Sequence, residues 1–263
     1  MKSGVPIPGR RAVTEALRAG RRKVTGLWVA SGGRGGPLGE IRALAAKRGV
    51  EVREADRDEL DRLAGTDRHQ GVVAMAEPAR EASVEELMAR ASAGGEPVFI
   101  VALDEVKDPQ NVGAVIRTAE SAGAHGLVIT ENRSAPLAGG VERASAGAVE
   151  YLPVATVANL RDALERMKKA GCWVVGTDAT APRPHTGASL DRPVVIVLGE
   201  EGRGLRELTA RTCDELVAIP MRGKIGSLNV SAAAAVMCYE VVRQRGGSAR
   251  PRIARPGGGS VQS

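Results

Sequence analysis

Two nearly unbroken apolar runs, "VFIVAL" (98–103) and "VVIVLG" (194–199), constrain this chain more than any other feature. A strand with one wet face alternates apolar and polar residues, whereas a run that is apolar throughout must be covered on both faces, as strands of a parallel sheet are. Shorter strand-like runs, "GLVIT" (126–130), "CWVVGTD" (172–178) and "ELVAIP" (215–220), alternate with segments of helical spacing: "VGAVIRTAESAGA" (112–124), "LRDALERMKKAG" (160–171) and "NVSAAAAVMCYEVVRQR" (229–245). This alternation predicts a doubly wound α/β domain over residues 97–245.

A smaller α/β alternation precedes it. "GRRAVTEALRAG" has helical spacing and stops at Gly20, and strands "VTGLWVA", "VEVREA" and "HQGVVAMA" follow with helices between them. Residues 9–76 therefore predict a small domain of their own. Residues 1–8 read as a disordered tail. Residues 77–96, with Pro78, a short helix and "AGGEP", read as a linker. Residues 246–263 hold too little apolar surface to order and predict a flexible basic tail.

The net charge of +6 is unevenly placed. Residues 1–80 carry 16 Lys/Arg against 10 Asp/Glu, residues 81–242 carry 16 against 21, and residues 243–263 carry 5 against none. Basic ends around an acidic middle fit polyanion contact through the ends and chemistry in the middle, or equally a solvated loop and a solubilising tail. Arg10, Arg11, Arg21, Arg22 and Lys23 are the candidates for contact with a polyanion backbone. No apolar stretch reaches the ~20 residues that span a bilayer, and no leader pattern opens the chain, so a cytoplasmic protein without a membrane partner is expected. Cys172, Cys213 and Cys238 form no CxxC pair and read as small buried hydrophobes. His69, His125 and His185 have no partners at ligand spacing, so no metal is expected.

Ligands of open α/β sheets bind at the carboxyl ends of strands, which directs attention to three loops. "DEVKDPQNVGAVIR" offers Asn111, which alone reads as a helix N-cap, and Arg117 among apolar neighbours. "LGEEGRGL" surrounds Glu200 and Glu201 with Gly199, Gly202 and Gly204. It lacks the Lys-Ser/Thr of a phosphate loop and the GxGxxG spacing; a tight turn, or a ligand bearing hydroxyls or positive charge, fits it better. "KIGSLNVSAAAAV" sets Ser227, Asn229 and Ser231 at a helix start before four alanines, a mouth shaped for close approach and polar contact.

In order, "NVGAVIRTAESAG", "VLGEEGRGL" and "IPMRGKIGSLNVSAAAAV" resemble the three motifs of the SpoU (TrmH-like) family of RNA ribose 2′-O-methyltransferases within the SPOUT superfamily. "GRRAVTEAL" and "HQGVVA" resemble the small substrate-binding domain of the RlmB branch, which is itself similar to an RNA-binding ribosomal protein. The resemblance implies a SPOUT domain whose parallel sheet ends in a deep trefoil knot, acting as a homodimer with S-adenosylmethionine as methyl donor. It further implies main-chain contacts to that donor from Gly199, Ile219 and Leu228, and a catalytic set of Asn111, Arg117, Glu201, Ser227 and Asn229. In that set Glu201 would hold Arg117 or the substrate, and Ser227 with Asn229 would orient the loop and the RNA.

The implied reaction is 2′-O-methylation of a ribose, at a guanosine, in large-subunit rRNA, free or within a pre-ribosomal particle. A tRNA enzyme, an antibiotic-resistance rRNA enzyme and a non-catalytic ribosome-assembly protein stay open as alternatives. A guanidinium of pKa above ~12 is a poor base, so Arg117 is expected to orient the 2′-hydroxyl or a neighbouring phosphate and to stabilise oxyanion charge.

Overall fold

The computed structural model describes residues 4–32, 36–132, 134–135, 137 and 139–246 of the 263. The expected tail at 246–263 lies, beyond Gly246, outside the described residues.

The N-terminal unit runs β1 (Val5–Pro8), α1 (Arg10–Ala19), β2 (Val24–Ala30), α2 (Pro37–Lys47), β3 (Val52–Ala55), α3 (Arg57–Ala64) and β4 (Val72–Ala76). Its sheet has the order β1-β4-β2-β3, with β1 and β2 antiparallel to β4 and β3 parallel to β2. The expectation of a disordered tail over 1–8 is corrected at residues 5–8. Val5 to Pro8 pair in register with Ala76 to Val73, and Ile7 enters the core beside Val13 and Leu17. Two prolines obscured the strand, and both are tolerable because β1 is an edge.

The larger unit follows with α4 (Val84–Gly94), β5 (Phe99–Asp104), α5 (Pro109–Ser121), β6 (Gly126–Thr130), α6 (Gly140–Ala144), β7 (Val154–Val157), α7 (Leu160–Lys169), β8 (Trp173–Thr177), β9 (Val194–Gly199), α8 (Glu207–Thr212), β10 (Glu215–Val217) and α9 (Val230–Gln244). Its six-stranded sheet, ordered β10-β8-β9-β5-β6-β7, is parallel throughout. Every residue of β5 is buried, and alternate ones sort to opposite faces. Phe99, Val101 and Leu103 meet α5 and α9, while Ile100 and Ala102 meet α4 and α7. That is the two-sided covering which the unbroken apolar run requires, and each such large side chain contributes about 1.5–3 kcal/mol.

Helix α4 corrects the linker assignment. Ser83 and Glu86 form a reciprocal capping box, Val84 and Leu87 are buried against the sheet and α7, and Ala91 is buried as well. Residues 84–94 are therefore a layer of the larger unit, and the segment 77–82 alone crosses between the units.

The units meet through buried charge. The Arg22 guanidinium donates through Nη1 to Glu142 Oε1 (2.7 Å) and through Nε to Glu150 Oε1 (3.0 Å), with Nη2 also on Glu150. The three side chains are 4%, 1% and 3% exposed. Burial pushes the Glu142 carboxyl above the usual carboxylate range against the pull of Arg22, and Glu142 Oε2 has no hydrogen-bond partner among the described residues. Stripping one partner from such a cluster typically costs ~3–5 kcal/mol, because the remainder stays buried and unpaired. Alongside it, Arg21 donates to the Tyr151 carbonyl (3.2 Å) and Tyr151 Oη donates to Glu15 (2.7 Å).

Cys172 and Cys238 are buried, Cys213 is half-buried, and burial pushes the thiols of Cys213 and Cys238 up to about 12. His125 is buried, its Nδ1 accepting the Phe99 amide at 3.1 Å, and burial lowers its pKa. Among the described residues no group of three or more His, Cys, Asp or Glu is placed to hold a metal ion, and no helix is long and apolar enough to cross a membrane.

Candidate active site

Three loops leave the carboxyl ends of β8, β9 and β10 side by side and enclose a cleft of about 280 Å³. The β9 loop folds back on itself: Gly204 N donates to Glu200 O at 2.8 Å, directly over the end of the strand. Only glycine permits that approach at position 199, since a Cβ there would lie 2.1 Å from the Gly204 carbonyl carbon. The wall is consequently main chain, with an apolar floor of Leu198, Val217 and Val230. Ala233 also lines the cleft, and Ala234, next in the helix, is fully buried. The alanine run thus keeps the first turns of α9 thin where the cleft lies.

Asn229 joins this cleft to α5. As the N-cap of α9 its Oδ1 accepts from the amide (2.9 Å) and hydroxyl (2.6 Å) of Ser231. Its Nδ2 donates to Asn111 Oδ1 and to Glu201 Oε2, both at 3.0 Å. One amide caps a helix with its oxygen and ties two other loops with its nitrogen. Asn111 is not itself the cap of α5, as it reads alone; Asp108 is, accepting from Gln110 N at 2.9 Å, and Asn111 in the first turn is free to face α9.

Of the sequence-predicted residues, Gly199, Ile219, Leu228, Glu201 and Ser227 line the cleft, and Asn111 and Asn229 join it through Glu201. Arg117 does not. Six residues beyond Asn111 is roughly 240° round a helix, and Arg117 lies exposed in a separate hollow shared with Arg11 of α1. The expected grip of Glu201 on Arg117 is therefore corrected within one chain: Glu201 is held by Asn229.

Of the candidate RNA contacts, Arg10, Arg11 and Lys23 are exposed. Arg21 is exposed but bound to main-chain carbonyls of the larger unit. Arg22 is corrected outright, because its guanidinium is buried between Glu142 and Glu150 and closed to any ligand.

Sequence reasoning missed two parts of the site. Thr177 to Thr180 after β8 form the cleft's third wall; the signal was the polar end of "CWVVGTD". Asp104, buried at the end of β5, accepts from Arg206 N (2.9 Å) and Nε (2.8 Å), while Arg206 Nη1 reaches Glu105 at 3.1 Å. That clamp fixes where the β9 loop re-enters a helix; a carboxylate closing an apolar strand was its trace.

Known proteins share both the sequence and the fold of this chain. The sequence model of the SpoU rRNA Methylase family matches residues 98–239, and that of the RNA 2′-O ribose methyltransferase substrate binding domain matches 6–82. A protein of Bacillus subtilis (strain 168) assigned by name to the TrmH family of tRNA/rRNA methyltransferases, YacO, is 41% identical over 90% of this chain and 94% of its own. The 23S rRNA (guanosine-2′-O-)-methyltransferase RlmB of Pseudomonas syringae pv. tomato is 39% identical over 93% of this chain and 98% of its own. An AdoMet-bound rRNA methyltransferase structure from Sinorhizobium meliloti superposes with a TM-score of 0.75 at 28% identity, covering 91% of this chain and 87% of the other. With a family model over more than half its length and relatives near 40% identity end to end, the chain belongs to the SpoU rRNA methylase family.

Proposed function

We propose that this protein transfers a methyl group from S-adenosylmethionine to the 2′-hydroxyl of a guanosine in large-subunit rRNA, in the cytoplasm. The observation that carries the reading is the junction of a main-chain-walled cleft with the Asn111–Asn229–Glu201 cluster, in a chain that matches RlmB over nearly its whole length. The donor set of the cleft fits the methyl donor: peptide groups and the Thr177 and Thr180 hydroxyls suit an adenosine, and the apolar floor suits its base.

When bound, the donor supplies an activated electrophilic methyl group. What the chain's residues add is placement and charge. Glu201, oriented by Asn229, leaves Oε1 to accept a substrate hydroxyl, and Ser227 lines the same cleft. Arg117 neutralises negative charge on the RNA side. Fixing two reactants in line is worth up to ~7–11 kcal/mol in ideal cases, so no covalent step is required of the protein.

The protein works as a homodimer in this reading. Two observations support it: Tyr239 of α9 is 53% exposed, and Arg117 stands outside its own chain's cleft, as a site shared between two copies requires. The trefoil knot belongs to the same reading. In support, the end of α9 is gripped by the segment before β9, with Gln244 bonded to Ala188 O (2.9 Å) and Leu190 N (2.7 Å) and Arg245 bonded to Arg192 O (2.8 Å).

Arg117→Ala tests the division of labour. Methyl transfer is expected to fall by at least 100-fold while S-adenosylmethionine affinity, measured by calorimetry, stays within about two-fold. Unimpaired turnover would remove Arg117 from the mechanism.

A further inference from the structure

The hollow that holds Arg117 is a junction of the two units. Helix α1 lies against the turn at 147–151, and Gly147, at φ 90°, allows the contact: a Cβ there would fall 2.6 Å from Glu15 Cβ and 3.5 Å from Ala12 Cα. Between α1, α5 and this turn opens a space of about 270 Å³, lined by Arg11, Glu15, Arg117, Glu120, Ser145 and Tyr151 among others.

Two carboxylates line it, Glu15 and Glu120. Glu15 accepts from Tyr151 Oη at 2.7 Å and from Arg18 Nη1 at 3.0 Å, so its charge is spoken for. Glu120, the other carboxylate, has its pKa raised by burial and by Glu15.

The same hollow holds two guanidiniums, one from each unit. Arg11 and Arg117 are exposed and make no hydrogen bond or ion pair among the described residues. The neighbouring Arg18, Arg21 and Arg22 are all bound, to Glu15 and Glu40, to main-chain carbonyls, and to Glu142 and Glu150. A planar guanidinium fork matches two oxygens of a phosphodiester, and a pair of them on one hollow matches one phosphate from two sides. The buried Arg22 cluster ties together the elements that carry them, α1 through its following turn and α5 through α6.

We propose that Arg11 and Arg117 together hold a single phosphodiester of the RNA substrate in this hollow, which makes Arg11, on the substrate-binding unit, a positioning residue for the reaction. The inference rests on the function proposed above. It gives the N-terminal unit a direct part in placing the reacting ribose, beyond general affinity for RNA.

The test is a double-mutant cycle in the full-length protein, read as Kd for a large-subunit rRNA fragment across a salt series. Arg11→Ala and Arg117→Ala should each weaken binding about ten-fold and reduce the log–log salt slope by about 0.7. The double variant should bind within about three-fold of either single one, because the second arginine has no separate phosphate to lose. In turnover, Arg11→Ala should raise KM for RNA far more than it lowers kcat, and Arg11→Lys should restore part of the loss. Calorimetry with S-adenosylmethionine reports whether each variant is folded. Additive losses, or an Arg11→Ala variant with unchanged Kd and salt slope, would overturn the proposal. A wild-type protein that binds RNA and methylates none would instead sink the enzymatic reading, and the binding cycle would still decide on the phosphate site.

Discussion

At the scale of the residue, the account turns on Asn229, whose amide oxygen caps α9 and whose amide nitrogen ties Asn111 to Glu201. The two roles separate by substitution. Asn229→Ser keeps a good cap, whereas Asn229→Ala loses it at about 1 kcal/mol; neither reaches Asn111 or Glu201. Asn229→Ser should therefore unfold within a few degrees of the wild type and transfer methyl groups at least ten-fold more slowly, measured by thermal unfolding and initial rates. Full activity in Asn229→Ser would make the tie irrelevant to catalysis. The residues of this cluster were legible in sequence through their motifs. Their partnership was not, because Asn111 and Asn229 lie 118 positions apart and no local spacing encodes the contact. Arg22 misled for the same reason: "RRK" reads as a solvated run until Glu142 and Glu150, 120 and 128 residues away, enclose it.

At the scale of the element, α9 carries the site at one end and its anchor at the other. Glu240 is buried on α9, and its carboxyl is held by Arg243 Nε (2.8 Å) and by Gln244 Nε2 (2.8 Å). The Arg243 hydrogen bonds outweigh the opposing effect of burial and, with Gln244, hold the pKa down from 4.5 to about 2. A carboxyl depressed in the folded state adds stability that is complete above its unfolded pKa and is lost as pH falls through the folded one. Urea unfolding should accordingly show Glu240→Gln less stable than the wild type at pH 7, with the gap closing between about pH 4.5 and 2. A gap independent of pH would assign the loss to packing. Most elements were legible from periodicity: the fully buried strands β5 and β9 and the glycine-closed α1 fall where the apolar runs and stop signals put them. β1 and α4 were not. One is a proline-bearing edge strand, and the other follows a polar stretch that reads as a linker until Val84 and Leu87 pack against the sheet.

At the scale of the molecule, the basic N-terminal charge divides into two uses. Arg21 and Arg22 fasten the units to each other, while Arg10, Arg11 and Lys23 remain exposed. The charge profile set the segment apart but could not say how the charges are spent, since that depends on which carboxylates the larger unit presents. The order β10-β8-β9-β5-β6-β7 was likewise out of reach of periodicity, which identifies strands and not their neighbours. That order brings the β8, β9 and β10 loops together into one cleft.

The central claim, that this cleft and the Asn229 cluster serve ribose methylation in large-subunit rRNA, is tested most directly by nucleoside mass spectrometry. The purified protein is incubated with methyl-labelled S-adenosylmethionine and, separately, protein-free large-subunit rRNA, small-subunit rRNA and tRNA. The account predicts labelled 2′-O-methylguanosine in large-subunit rRNA alone; label in a base, in another nucleoside or in tRNA would contradict it.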